Sequence, residues 1–313
     1  MRILLAEDSP VYRHMMSEYW KEWGFDPVVA KDGAEAWRLV KGPDAPRLIV
    51  LNWMLPGVDG IELCRRIRKL ATGDMYAYTV ILTAKAGKED LAEAMEAGAD
   101  DYLVKPFEPS ELRARLFAGK RILDLQRELV SSRESLRFAA THDFLTGILN
   151  RAEALACLER ELARSRRENR PVGIALADLD HFKLINDSLG HLAGDAVLKE
   201  VARRLRSDLR VYDSVGRCGG EEFLLILPDC DLDNTIRRAN EICRLVSSEA
   251  IATSGGETSV TLSVGVTASN CAGDGTIEAL LQEADTALYR AKESGRNRVG
   301  SSTLGSSVAP PIV

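Results

Sequence analysis

The 313 residues predict two α/β domains joined by a helix: a doubly wound (βα)5 parallel sheet first, and a mostly antiparallel α+β domain second. Three observations carry this reading. Short apolar runs alternate with amphipathic stretches five times over residues 1–110. A helical pattern without further proline then runs from Pro109 to about Ala140. Beyond it, an apolar strand ends in acids, and two more strands meet through a Gly-Gly pair. With 45% hydrophobic and 28% charged residues, both domains can fill a core.

In the first domain the apolar runs are 3–6, 27–30, 48–51, 80–83 and 102–104. The spacing between them predicts helices near 11–22, 34–41, 59–70, 88–97 and 109–117. In such sheets, ligands sit beyond the carboxyl ends of the strands. Those ends carry Glu7 and Asp8, then Asn52, Thr83 and Lys105. Two carboxylates can hold a hard cation, while a hydroxyl and an ammonium can take phosphoryl oxygens.

The connector places Ala118, Ile122, Leu125, Leu129, Ser132, Leu136 and Ala139 at alternating spacings of four and three. That is the seam of a left-handed coiled coil, flanked by mixed charge at Arg121, Asp124, Arg127, Glu128, Arg133 and Glu134. The other reading is one amphipathic helix lying on a domain. Three heptads pair weakly by themselves, so pairing would need help from the first domain.

The second domain opens with the turn-rich segment 141–151, followed by a helix over about 152–168. An apolar strand over 172–177 ends in Asp178-Leu179-Asp180. A helical stretch with Lys183 and Asn186 follows, then Gly194-Asp195 and a helix over 196–209. Strands before and after Gly219-Gly220 form a hairpin, since glycine accepts the positive φ of such turns. Placing Glu221 beside Asp178 across the sheet would make a carboxylate pair able to hold magnesium on a triphosphate.

Over residues 1–118 the chain resembles the receiver domain of two-component response regulators. The matching pieces are Glu7-Asp8, Met54-Leu55-Pro56-Gly57-Val58-Asp59-Gly60, Thr83-Ala84 and Lys105-Pro106-Phe107. The resemblance implies magnesium at Glu7 and Asp8, a switch built from Thr83, Tyr102 and Lys105, and a cis bond at Lys105–Pro106. It departs at one position, where Asn52 stands in place of the phospho-acceptor aspartate. A carboxamide is a poor nucleophile, so this chain should not respond to a phosphodonor. A cognate histidine kinase is implied for the Asn52→Asp form. The isolated departure reads first as an introduced substitution, and second as a receiver that works without phosphorylation.

Over about 138–300 the chain resembles the GGDEF family of diguanylate cyclases. The pieces are Asp143-Phe144-Leu145-Thr146-Gly147 with Asn150-Arg151, Asp178-Leu179-Asp180-His181-Phe182-Lys183, Asn186-Asp187 and Gly194-Asp195. The loop Gly219-Gly220-Glu221-Glu222-Phe223 follows, and later Lys292 with Gly295-Arg296-Asn297. The fold implied is similar to nucleotidyl-cyclase and polymerase palm domains.

The activity implied is condensation of two GTP into cyclic di-GMP and two pyrophosphates across a homodimer. Asp178, Glu221 and the Leu179 carbonyl would bind magnesium, or manganese in its place. Glu221 would also be the base for the ribose 3′-hydroxyl. Asn186 and Asp195 would read guanine, with Gly219, Gly220 and Glu222 lining the nucleotide. Lys183, Lys292 and Arg296 would neutralise the triphosphate. Arg210 and Asp213 form an RxxD pattern ahead of the loop, implying inhibition by the cyclic di-GMP product. Arg237, Arg238 or Arg244 would complete that site. The competing reading is a catalytically silent module that senses cyclic di-GMP and signals by protein contact.

The expected boundaries are 1–118 for the receiver, 119–140 for the coiled-coil linker, 141–300 for the cyclase domain, and a disordered tail over 301–313. The net charge is −6 and neither domain is basic, so nucleic acid is not an expected partner. Six cysteines show neither zinc spacing nor CxxC pairing, and no apolar stretch reaches ~20 residues. A cytoplasmic protein with no membrane partner is expected.

Overall fold

The computed structural model describes residues 1–70, 76–85, 87–269 and 276–302. The chain divides into two compact units, Met1–Glu134 and a second from Ser135 onward.

In the first unit the strands are β1 (Arg2–Ala6), β2 (Asp26–Ala30), β3 (Leu48–Asn52), β4 (Tyr78–Thr83) and β5 (Asp101–Val104). They alternate with α1 (Pro10–Glu22), α2 (Gly33–Val40), α3 (Gly60–Leu70), α4 (Lys88–Glu96) and α5 (Pro109–Thr141). All pairs are parallel, in the order β2-β1-β3-β4-β5. β3 and β4 are buried along their whole length, as strands covered on both faces must be. Helix starts follow local chemistry: Ser9 and Asp32 cap α1 and α2 by accepting from the third residue on.

The expected helix near 109–117 and the linker are one helix, α5. Leu112, Leu116, Gly119 and Leu123 form its buried stripe. At Gly119 the helix approaches the sheet closely, since a Cβ there would meet the Tyr78 ring at 2.4 Å. The coiled-coil seam is a different stripe, with Ile122, Leu125, Leu129 and Leu136 exposed. Part of α5 therefore lies on the first unit's sheet while its other face stays exposed. The boundary between the units falls inside this helix, between Glu134 and Ser135.

The second unit is a six-stranded sheet, β13-β12-β7-β9-β8-β6. Its strands are β6 (Leu149–Asn150), β7 (Val172–Leu179), β8 (Ser214–Gly219), β9 (Glu222–Pro228), β12 (Leu262–Ala268) and β13 (Val299–Ser301). The four central strands are antiparallel, and β6 and β13 pair parallel at the edges. A small hairpin, β10 (Ile251–Thr253) with β11 (Gly256–Thr258), stands apart.

One face of the sheet is covered by α7 (Phe182–Leu189), α8 (His191–Asp208) and α9 (Leu232–Ser247). The other is covered by α6 (Arg151–Glu168) and α10 (Ile277–Glu293). α8 begins at His191 rather than near 196, so Gly194 and Asp195 lie in its first turns. The glycines at 190 and 194 break the apolar period and hide that start. Ser301 ends β13, and the Ser302 amide donates to Val266 O, so order continues past residue 300. The rest of the expected tail, 303–313, lies outside the described residues.

Candidate functional site

The second unit's site is the polar end of an apolar face. Along β7, Val172, Ile174 and Leu176 point at α6 and α10, and the next residue of that period is Asp178. Along β9, Ile226 and Leu224 do the same, and the period ends at Glu222. Asp178 and Glu222 are register partners across the antiparallel pair. From the end of α10, Lys292 Nζ reaches Asp178 Oδ2 at 2.8 Å. Burial, and then the Asp178 charge, push the Glu222 carboxyl above its usual range.

This corrects one sequence expectation: Glu222, rather than Glu221, stands opposite Asp178. Gly220 takes a left-handed φ of 48°, and the register shifts by one between Arg217 and Gly219. Glu221 is left in the turn, where its backbone carbonyl accepts from Leu179 N at 3.3 Å.

The turn has a support that sequence reasoning missed. Arg217 donates to Gly220 O through Nε at 2.9 Å and Nη2 at 2.7 Å. Its Nη1 lies 3.1 and 3.3 Å from the two Asp143 carboxylate oxygens. Asp143 also accepts from the Thr146 amide and hydroxyl. Burial works against the charged form of Asp143, but the Thr146 and Arg217 bonds prevail and hold its carboxyl below the usual range. The signal was present, since Asp143 and Arg217 both lie in motif segments. Nothing in their spacing paired them.

Asn186 and Asp195 lie half-buried on facing helices. A Cβ at Gly194 would fall 2.0 Å from Asn186 Oδ1, so that glycine makes room for the Asn186 side chain. Lys183 and Arg296 are exposed.

Among the described residues, no three acidic, histidine or cysteine side chains converge as a ready-made metal cage. Two neighbouring carboxylates and a strand-end carbonyl nevertheless suit magnesium, which keeps waters and takes substrate phosphate oxygens. The raised Glu222 carboxyl marks negative charge that a cation would relieve.

At the RxxD segment, the Asp213 carboxylate accepts from Arg210 N at 3.0 Å and closes its own turn. The Asp213 side chain is 1% exposed, and burial pushes its carboxyl up. It is therefore not presented as an open acceptor. Of the three arginines considered, Arg238 is the one beside it, with Nη2 3.8 Å from Asp213 Oδ2. Arg238 also pairs with Asp208 and Glu241. Arg237 bonds Asn234 instead. Asp213 Oδ1 and Arg238 Nε are buried without hydrogen-bond partners among the described residues. Nearby, a cleft of about 390 Å³ is lined by His142, Leu149, Arg206, Arg210 and Asp213, among others.

In the first unit the strand-end residues come together as expected. Asn52 Nδ2 lies 2.9 Å from Asp8 Oδ1, 3.3 Å from Glu7 Oε1 and 2.9 Å from Met54 O. Lys105 Nζ donates to Glu7 Oε2 at 2.6 Å and to Asn52 Oδ1 at 3.3 Å. The Lys105–Pro106 bond is cis. Thr83 is buried, and its hydroxyl accepts from Lys85 N at 2.9 Å. Tyr102 is half-buried against the core. Burial opposes the charge on Asp8, but its own backbone amide and Asn52 hold its carboxyl below the usual range. The Asn52 amide and the Lys105 ammonium take up part of the acids' acceptor capacity, and Asn52 brings no charge to a cation held there.

The parallel sheet and its acid-lysine cluster define a receiver, and the second fold defines a nucleotidyl-cyclase-like domain. A model of the diguanylate cyclase GGDEF domain matches residues 140–298, just over half of the chain, and one of the response regulator receiver domain matches 3–117. The chain belongs to the GGDEF family and carries an N-terminal receiver domain. Response regulator PleD of Caulobacter vibrioides is 37% identical over 306 residues, covering 95% of this chain. This chain spans 65% of that relative's length. The crystal structure of the coiled coil and GGDEF domain of DgcB from Caulobacter crescentus, in complex with c-di-GMP, is similar at a TM-score of 0.54. It is 30% identical and covers 61% of this chain and 99% of that one. Diguanylate cyclase SiaD from Pseudomonas aeruginosa, solved with its activator SiaC, is similar at a TM-score of 0.50. It is 34% identical and covers 69% of this chain and 77% of that one. Among the described residues, no helix is long and apolar enough to cross a membrane.

Proposed function

We propose that this chain is a diguanylate cyclase, converting two GTP into cyclic di-GMP and two pyrophosphates. The observation that carries the reading is Asp178 register-paired with Glu222 and ion-paired with Lys292, beside a Gly-Gly turn that leaves open space. Asp178, the Leu179 carbonyl and the Glu221-Glu222 pair would hold magnesium or manganese. When bound, the ion supplies charge neutralisation on the triphosphate and polarises the reacting phosphate.

Lys292 is held on Asp178 without nucleotide and turns to phosphate oxygens when GTP arrives. Lys183 and Arg296 add cationic charge against the leaving pyrophosphate. Glu221, in the turn, takes the proton from the ribose 3′-hydroxyl. Asn186 and Asp195 read the guanine edge, and an aspartate at 195 favours guanine at both sites.

Each chain brings one GTP, so two chains must face each other. The bare seam of α5 is the surface that would pair them, making a cytoplasmic homodimer. Product inhibition at Arg210 and Asp213 would require that turn to open, with Arg238 changing partners to bond the cyclic dinucleotide. The receiver would bias how often the two cyclase domains meet. With Asn52 it takes no phosphoryl group, whereas the Asn52→Asp form would accept one from a histidine kinase.

The test is incubation of the purified chain with GTP and magnesium, followed by chromatography. Cyclic di-GMP is expected. Its absence from both the Asn52 chain and the Asn52→Asp form would overturn the proposal.

A further inference from the structure

Asp180 lies just beyond the strand that carries Asp178, yet it has no part in the chemistry above. It is 5% exposed, and among the described residues its side-chain hydrogen bonds come from neutral groups. Its Oδ1 accepts from Ser263 Oγ at 2.7 Å. Its Oδ2 accepts from Thr261 Oγ1 at 2.7 Å and from the Asn297 backbone amide at 3.0 Å. A carboxylate buried without a cation is expensive, so three well-placed donors must stabilise it there.

What those bonds hold is a strained turn. Gly295, Arg296 and Asn297 have φ of 109°, 60° and 47°, so two consecutive residues with side chains sit in the left-handed region. Such a turn persists only where its surroundings over-determine it. Gly295 N and Arg296 N bond back to α10, at Lys292 O and Ala291 O. Arg298 O accepts from Val264 N of β12. The Asn297 amide on Asp180 ties the turn to the end of β7. Ser263, which also bonds Asp180, is the register partner of Asp178 on the other side from Glu222. One strand end thus references both cations: Asp178 holds Lys292, and Asp180 holds the turn carrying Arg296.

We infer that Asp180 is a positioning residue, which fixes the 295–298 turn so that Arg296 is presented to the nucleotide's triphosphate. The inference rests on the cyclase reading of the site. It assigns Asp180 no contact with substrate, so its effect must run through Arg296.

The test is a double-mutant cycle on the full chain, with affinities for a non-hydrolysable GTP analogue and for GMP, and amide hydrogen exchange over 295–298. Asp180→Ala should weaken the analogue about tenfold, matching Arg296→Ala, and the double variant should be no weaker than Arg296→Ala alone. GMP affinity should stay unchanged and exchange in the turn should rise. Asp180→Asn keeps an acceptor and should fall between; it carries the same readouts if the alanine variant does not fold. Additive losses, equal losses of GMP and analogue, or unchanged exchange in the turn would overturn the inference. If the unsubstituted chain fails to bind the analogue, the cyclase reading falls and this role of Arg296 with it. Analogue binding with Asp180 uncoupled from Arg296 overturns the positioning role alone.

Discussion

Arg217→Ala should loosen the Gly-Gly turn while leaving the core beneath it intact. The substitution removes two bonds to the Gly220 carbonyl and the pair with Asp143. Gly220 is exposed, so water replaces its bonds at little cost. Asp143 keeps both bonds from Thr146 and is not left bare. The loss therefore reduces to one partly buried, charge-assisted pair, about 2 kcal/mol. For a unit of this size that lowers the melting temperature by about 4–8 °C. The four tryptophans, at 20, 23, 37 and 53, all lie in the first unit, so their fluorescence reports that unit alone. Far-UV circular dichroism reports both. The dichroism transition should acquire an earlier component while the fluorescence midpoint stays in place. An unmoved dichroism transition, or a fluorescence midpoint that moves with it, would refute the role assigned to Arg217.

Gly119→Ala should destabilise the first unit by about 1–3 kcal/mol, because overpacking against Tyr78 outweighs the gain in helix propensity. A urea titration followed by tryptophan fluorescence checks it. Glu200, bonded by Arg203 and Arg204, has its carboxyl lowered from 4.5 to about 2. A depressed carboxyl stabilises above its unfolded value and loses that contribution as pH falls through the folded one. The stability gap between the chain and Glu200→Gln should thus be full at pH 7 and shrink below about pH 4.5, as chemical denaturation across pH would show. Leu129→Asn, on the bare face of α5, should weaken self-association about tenfold or more in sedimentation while leaving the tryptophan transition unmoved.

How far these features could be read in advance depended on whether neighbours in space were also neighbours in pattern. The five strand-helix repeats and the strand-end acids were legible, because a parallel sheet sends Glu7, Asp8, Asn52 and Lys105 to one edge by its topology alone. Asp178 and Lys292 were legible as motif residues, though nothing in the spacing set them 2.8 Å apart. That Glu222 stands opposite Asp178 was carried by the alternation of β9, where Ile226, Leu224 and Glu222 share a face, but the motif drew attention to Glu221. Gly119 is a point of close approach to Tyr78, which its place in a helical pattern does not announce. The RxxD pattern named Arg210 and Asp213 together, but not that the Asp213 carboxylate accepts from the Arg210 amide, a choice between local and ligand bonding that composition does not encode.

The account stands most directly on what the chain does with GTP. The decisive measurement is the rate of cyclic di-GMP formation, with magnesium present, across a dilution series of the Asn52 chain and its Asn52→Asp form. The account predicts that product appears and that turnover per chain falls on dilution as facing pairs separate. It further predicts that a small-molecule phosphodonor raises turnover only in the Asn52→Asp form. No cyclic di-GMP from either form at the highest concentration, or a turnover independent of dilution down to the monomer, would contradict it.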